Sequence, residues 1–152
     1  MNALAQRLAA LDLPPVAAPV AAYVPAVRCG NLIYTSGQLP MVDGALPATG
    51  LVGESEGCVS ASDAHAYARQ CARNALAAAA AVAGGAEKLG RVVKVTGFVA
   101  SEVSFTAQAG VINGASEYFA EVFESAHARS AVGVAVLPLN SPVEVEVIFE
   151  LA

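Results

Sequence analysis

The segment His127-Ala128-Arg129-Ser130-Ala131-Val132 sets a cation just before an apolar run that carries no other charge. An arginine guanidinium is always charged, and its planar fork matches a carboxylate or a phosphate. Near the end of the chain Val143, Val145, Val147, Phe149 and Leu151 alternate with Glu144, Glu146, Ile148 and Glu150. If the first set packs beneath helices, three glutamates point to the opposite face of a sheet. Such a face is usually solvated. Like charges crowded into a dry interface are costly, so association through that face calls for a water-filled cleft at a subunit boundary. There a glutamate faces a bound acid, near an arginine that neutralises it. The residues alone equally admit a plainer arrangement, in which Arg129 is a strand-edge cation paired with Glu124 or with a C-terminal glutamate.

Other chemistries find no footing. Neither a Walker loop nor a GxGxxG after a strand occurs, which removes nucleotide binding. Two histidines, His65 and His127, cannot build a usual zinc site without carboxylates, so we expect no metal and no cofactor. His65 lies in an alanine-rich stretch and reads as a surface or packed residue; His127, beside Arg129, is the better candidate. No GxSxG elbow is present. Cys29, Cys58 and Cys71 are odd in number and form no CxxC pair, so they read as packed residues rather than nucleophiles.

The chain has 152 residues, 56% hydrophobic and 14% charged, with a formal net charge of -5. That length suits one domain, and the apolar content excludes disorder. With 8 Lys+Arg against 13 Asp+Glu there is no basic footprint for nucleic acid. So little charge covers a small protein thinly, which implies that part of the surface is buried against other subunits. The longest apolar run, Ala75 to Ala83, falls short of the roughly 20 residues a membrane helix needs. Arg7 and Asp12 interrupt any secretory leader. These features predict a reduced, cytoplasmic protein with no membrane partner.

The elements that must position these residues follow from periodicity. Leu4, Leu8 and Leu11 form one stripe of a short helix over 2–12, and Pro14, Pro15 and Pro19 force an extended arm. Residues 31–35 read as a strand. The turn signal Asp43-Gly44 then predicts a return strand and an opening hairpin. Ser60 or Ser62 caps an alanine-rich helix that Gly84-Gly85 stops after Ala83. So much alanine argues for close packing, most simply against a sheet. A strand over 91–99, a helix over 110–124 and strands over 130–137 and 143–151 complete the order β-β-α-β-α-β-β. Two crossover helices on one face of a sheet give an α+β two-layer domain.

At this point the residues resemble the RidA/YjgF family, also called the endoribonuclease L-PSP group, with its chorismate-mutase-like fold. The matching stretches are Tyr23 to Pro40 (Tyr-Val-Pro-Ala-Val-Arg-Cys-Gly-Asn-Leu-Ile-Tyr-Thr-Ser-Gly-Gln-Leu-Pro), Val93-Lys94-Val95-Thr96-Gly97-Phe98-Val99, Ala128-Arg129-Ser130-Ala131-Val132, and Leu137-Pro138 with Val143-Glu144-Val145-Glu146. The Tyr-Val-Pro-Ala-Val and His-Ala-Arg-Ser-Ala-Val-Gly-Val runs look most like a lesser-studied branch. Residues 1–19 then form an N-terminal helix and arm ahead of a family-like domain over 20–152.

The resemblance implies a homotrimer with three clefts between neighbouring subunits, and a mixed sheet with two helices on one face. The activity it implies is hydrolysis of reactive enamines and imines, such as 2-iminopropionate from 2-aminoacrylate, to 2-keto acids and ammonia. Carried over, Arg129 clamps the substrate carboxylate and Glu144 orients the attacking water. Tyr23, Gly37 and Asn113 complete the binding residues. The partners implied are a small 2-imino or 2-keto acid and further copies of the chain, with neither nucleic acid nor membrane. Two stretches depart from the family pattern: Ala22-Tyr23-Val24-Pro25 replaces Pro-Tyr-Ser-Gln, and Ala131 stands where a cysteine is common. A non-catalytic trimer that binds small carboxylates, or regulates through them, is the alternative. Ribonuclease activity sits badly with the negative net charge. Chorismate mutase activity wants more cations than Arg129 and, weakly, Arg28.

Overall fold

The computed structural model describes residues 1–19 and 21–152. Helix α1 (Ala3–Ala9) starts at Asn2, whose side chain accepts the Ala5 N–H, and buries Leu8. Leu4 and Leu11 pack against the same core, as their stripe predicts. Strands β1 (Ala26–Cys29) and β2 (Leu32–Thr35) form the opening hairpin. Helix α2 runs from Ala61 to Ala83, with Ser60 accepting the Asp63 N–H and Gly84 ending it in the left-handed region. Strand β3 (Leu89–Ala100), helix α3 (Gln108–Phe123), strand β4 (Ala128–Val134) and strand β5 (Val143–Leu151) follow.

The hairpin corrects the sequence reading. Its two-residue turn is Gly30-Asn31, with Gly30 at φ 60°, not Asp43-Gly44. Asp43 and Gly44 do turn with positive φ, but they close a single bridge between Val42 and Ala45. Pro40 and Pro47 flank that bridge and have no N–H to extend a ladder.

The five strands lie in the order β1-β2-β5-β3-β4, antiparallel except for the parallel pair β3–β4. Strand β4 stops at Val134, earlier than predicted, because its partner β3 ends at Ala100, directly opposite. Helices α2 and α3 cover one face, above the buried Val143, Val145, Val147 and Phe149 of β5. This is the predicted two-layer α+β arrangement. The alanines of α2 serve a second surface besides the sheet, since α2 also packs along α3. A Cβ on Gly114 of α3 would collide with the His65 carbonyl of α2, so the two helices meet backbone to backbone. The opposite sheet face is uncovered in the single chain, and Val27, Tyr34 and Val132 lie 51%, 41% and 42% exposed on it. No helix among the described residues is long and apolar enough to cross a membrane.

Candidate functional site

Glu144 follows the first residue of β5, and alternation turns it away from the helices while Val143 and Val145 go under them. Its carboxylate rests against Gly37. A Cβ at residue 37 would lie 2.7 Å from the Glu144 Cδ and closer still to Oε1. Gly37 therefore serves close approach, not an unusual backbone angle. Around the pair lies a cleft whose walls include Ala17, Ala18, Tyr23, Leu39, Met41 and Pro138. Burial, with Glu146 as a second cause, raises the Glu144 carboxyl above the usual range. Such a carboxyl holds a proton more readily than an exposed one, which suits a group that must take and return one.

The loop forming the cleft floor is held from two sides. Gln38 exchanges both backbone hydrogen bonds with Val145, at 2.8 and 3.0 Å. From beneath, the buried Asn74 of α2 donates to the carbonyls of Leu39 and Met41, both at 3.0 Å. Sequence reasoning missed Asn74. Its only signal was a polar side chain inside an alanine run.

Arg129, the second residue of β4, turns to the helix side. Its Nη1 donates to Asn113 Oδ1 at 2.7 Å and to Ser116 Oγ at 3.3 Å, and Nη2 donates to the Ala109 carbonyl at 3.3 Å. These acceptors lie four and three residues apart, one stripe of α3 facing β4. Of the five guanidinium N–H groups, Nε–H and one Nη2–H are left without a partner among the described residues. That is the donor content of a two-point grip on a carboxylate. Neither predicted ion pair forms. Glu124, in a left-handed turn at the end of α3, pairs with Arg7 at 3.0 Å, and Glu150 pairs with Arg91 directly across the β5–β3 ladder. Asn113 meets Arg129 directly, while Ser116 and the Ala109 carbonyl went unpredicted.

Tyr23, Gly37 and Glu144 thus share one cleft, and Arg129 and Asn113 share another place. Arg129 aligns with Val95 and Val95 with Val147, so two strand spacings and three residues separate Arg129 from Glu144. At ordinary sheet dimensions that is about 14 Å, with the side chains on opposite faces. One small acid cannot touch both within a single chain.

His127 bonds Ser116 Oγ at 2.9 Å, and its ring meets Phe119 edge-on. His65 sits on the surface against Glu117. Of the cysteines only Cys71 is buried; Cys29 is exposed and Cys58 half-exposed, so packing describes one of the three. Burial pushes the Cys71 thiol well up, and burial with the neighbouring Glu102 raises Cys58, which disfavours both as thiolate nucleophiles. Among the described residues no three His, Cys, Asp or Glu side chains gather as a metal site requires.

Known proteins are similar to this chain along nearly its whole length. Protein TCP17 of Trypanosoma cruzi is 42% identical over 149 residues, covering 96% of this chain and 91% of its own. A 2-iminobutanoate/2-iminopropanoate deaminase of Salmonella typhimurium is 36% identical over 132 residues, covering 86% and 88%. The crystal structure of protein Atu1372 from Agrobacterium tumefaciens superposes with a TM-score of 0.83 at 44% identity, covering 98% of this chain and 92% of that one. The family model for endoribonuclease L-PSP matches residues 15–151, and the chain belongs to that family, the RidA/YjgF proteins.

Proposed function

We propose that the protein hydrolyses small 2-imino acids to 2-keto acids and ammonia, in clefts that neighbouring copies of a homotrimer complete. The observation that carries this reading is Arg129: among the described residues, a cation anchored by neutral acceptors with two donors uncommitted. The deaminase relative at 36% identity supports the reaction class.

In this scheme Arg129 of one copy holds the substrate carboxylate over the Glu144 cleft of the next. The imine carbon is already electrophilic, so positioning and proton transfer are what the protein must supply. Glu144 accepts a proton from water as its oxygen bonds to C2. Glu144 hands that proton to the imine nitrogen to give a carbinolamine, and then carries the hydroxyl proton to the amine as the C–N bond breaks. A keto acid and ammonia leave. The raised carboxyl of Glu144 suits both halves of that cycle. Separation of the two residues within one chain favours a site built by two copies, and the uncovered sheet face offers the surface for them.

The test uses 2-iminobutanoate generated in place by an amino-acid oxidase, following ammonia release. Arg129→Ala and Glu144→Gln proteins are each expected to lose the acceleration over buffer. Unfolded together and refolded in equal amounts, they are expected to regain about one quarter of wild-type activity, the share of intact clefts in a randomly mixed ring. No recovery excludes the shared cleft. No acceleration by the wild type, despite saturable binding of 2-oxobutanoate, turns the reading to a carboxylate-binding protein.

A further inference from the structure

His127 lies outside the residues given a chemical role above, yet its ring is held by a hydrogen bond and an aromatic contact. Nε2 is 2.9 Å from Ser116 Oγ, and that oxygen also accepts from Arg129 Nη1 at 3.3 Å. Phe119 of α3 meets the ring edge-on, with centroids 6.3 Å apart. The other ring nitrogen, Nδ1, is buried with no hydrogen-bond partner among the described residues.

Those contacts choose the tautomer. A buried N–H without an acceptor costs more than a buried bare lone pair. The proton therefore sits on Nε2, and the imidazole donates to Ser116. Burial, and after it the positive charge of Arg129, lower the His127 pKa. The ring is neutral at pH 7 and adds no second cation beside the guanidinium. Ser116 Oγ thus receives two donors, one from the ring and one from Arg129, and its hydroxyl has little freedom to turn elsewhere.

We propose that His127 is a positioning residue for Arg129, acting through Ser116: its Nε2–H holds the serine hydroxyl in the rotamer that accepts Nη1, leaving Nε–H and one Nη2–H of the guanidinium aimed outward for a carboxylate. Asn113 and the Ala109 carbonyl hold two other points of the fork, and Ser116 is the anchor that His127 touches. The inference rests on Arg129 being the carboxylate clamp. It adds that the clamp is tuned by a neutral histidine two residues before it in sequence.

Calorimetry with 2-oxobutanoate as the probe tests this on the full chain, with thermal midpoints recorded for every variant. His127→Phe keeps a ring against Phe119 but removes the nitrogen, and Ser116→Ala removes the hydroxyl. Each is expected to weaken Kd about fivefold, the effect of one ordinary hydrogen bond. KM for 2-iminobutanoate should rise by the same factor with kcat within twofold. The double variant should bind no more weakly than Ser116→Ala alone, because both act on one link. His127→Gln, which returns an N–H near the Nε2 position, should stay within twofold of wild type. Wild-type affinity in His127→Phe, or in Ser116→Ala should His127→Phe not fold, overturns the positioning role. Losses that multiply in the double variant overturn it too. Wild-type affinity in Arg129→Ala is a different failure, of the clamp itself.

Discussion

The carboxylate of Glu144 occupies the space in which a side chain on Gly37 would begin, with Cδ 2.7 Å from the ideal Cβ position. Gly37→Ala must therefore displace the tip of Glu144 rather than any backbone. We expect ammonia release from 2-iminobutanoate to fall about tenfold or more, since a proton-transfer group has moved off its station. The thermal midpoint should shift by no more than about 2 °C, because a flexible side-chain end yields at little cost. A large fall in midpoint with activity retained would show that Gly37 serves the fold instead.

Replacing Arg129 with lysine keeps the charge and removes the fork. Asn113, Ser116 and the Ala109 carbonyl cannot all be satisfied by one ammonium on a flexible stem. The expected result is a 10–100-fold weaker Kd for 2-oxobutanoate, about the value of charge-assisted hydrogen bonds lost. Equal binding by Arg129→Lys would mean that a point charge suffices.

Glu144→Gln separates activity from stability. Proton transfer by a positioned carboxyl contributes about 10²–10⁴-fold, and that much of kcat should vanish. Stability should move the other way. The folded carboxyl has its pKa raised by burial and by Glu146, so the native state binds that proton more tightly than the unfolded chain does. Native stability from this group is therefore full below the ordinary carboxyl range and declines as pH rises through the elevated value. Removing the charge should raise the thermal midpoint at pH 7 by about 1–2 °C, a modest figure because the half-exposed group is partly screened. The gain should vanish at pH 4.

Asn74→Ala probes the cleft floor. It leaves the Leu39 and Met41 carbonyls without their donor in a buried setting. The cost should be about 2 kcal/mol, read as a fall of about 4–8 °C in thermal midpoint. KM should rise as well, because the loop carrying those carbonyls lines the cleft. A stable variant with unchanged KM would mean that the Gln38–Val145 bonds hold the loop unaided.

Where the chain announces its structure, it does so locally. Ser60 and Gly84 bound α2 because caps act within a turn, and β5 is legible because its alternation runs unbroken from Val143 to Phe149. The opening hairpin was misplaced because Gly30-Asn31 and Asp43-Gly44 are both good turns, and only the flanking prolines show which can carry strands. Arg129 and Glu144 stand out by residue type. Their placement on opposite faces depends on registers between β5, β3 and β4, which no local pattern encodes. Asn74 and Ser116 were hidden for a related reason. A polar residue on a helix reads as solvent-facing until the neighbouring element is known.

In the last turn of helix α1, Arg7 reaches across to α3, donating to the Val122 carbonyl at 2.7 Å and pairing with Glu124. Glu124 is the left-handed hinge from which the backbone swings towards His127 and Arg129. The amino terminus, whose first 14 residues precede the family-matched region, is thereby buttoned to the root of strand β4. A fusion tag or proteolytic nick at that end will be felt where the guanidinium is seated, whereas Ala152, tethered through its own N–H to the Lys88 carbonyl, offers the quieter point of attachment.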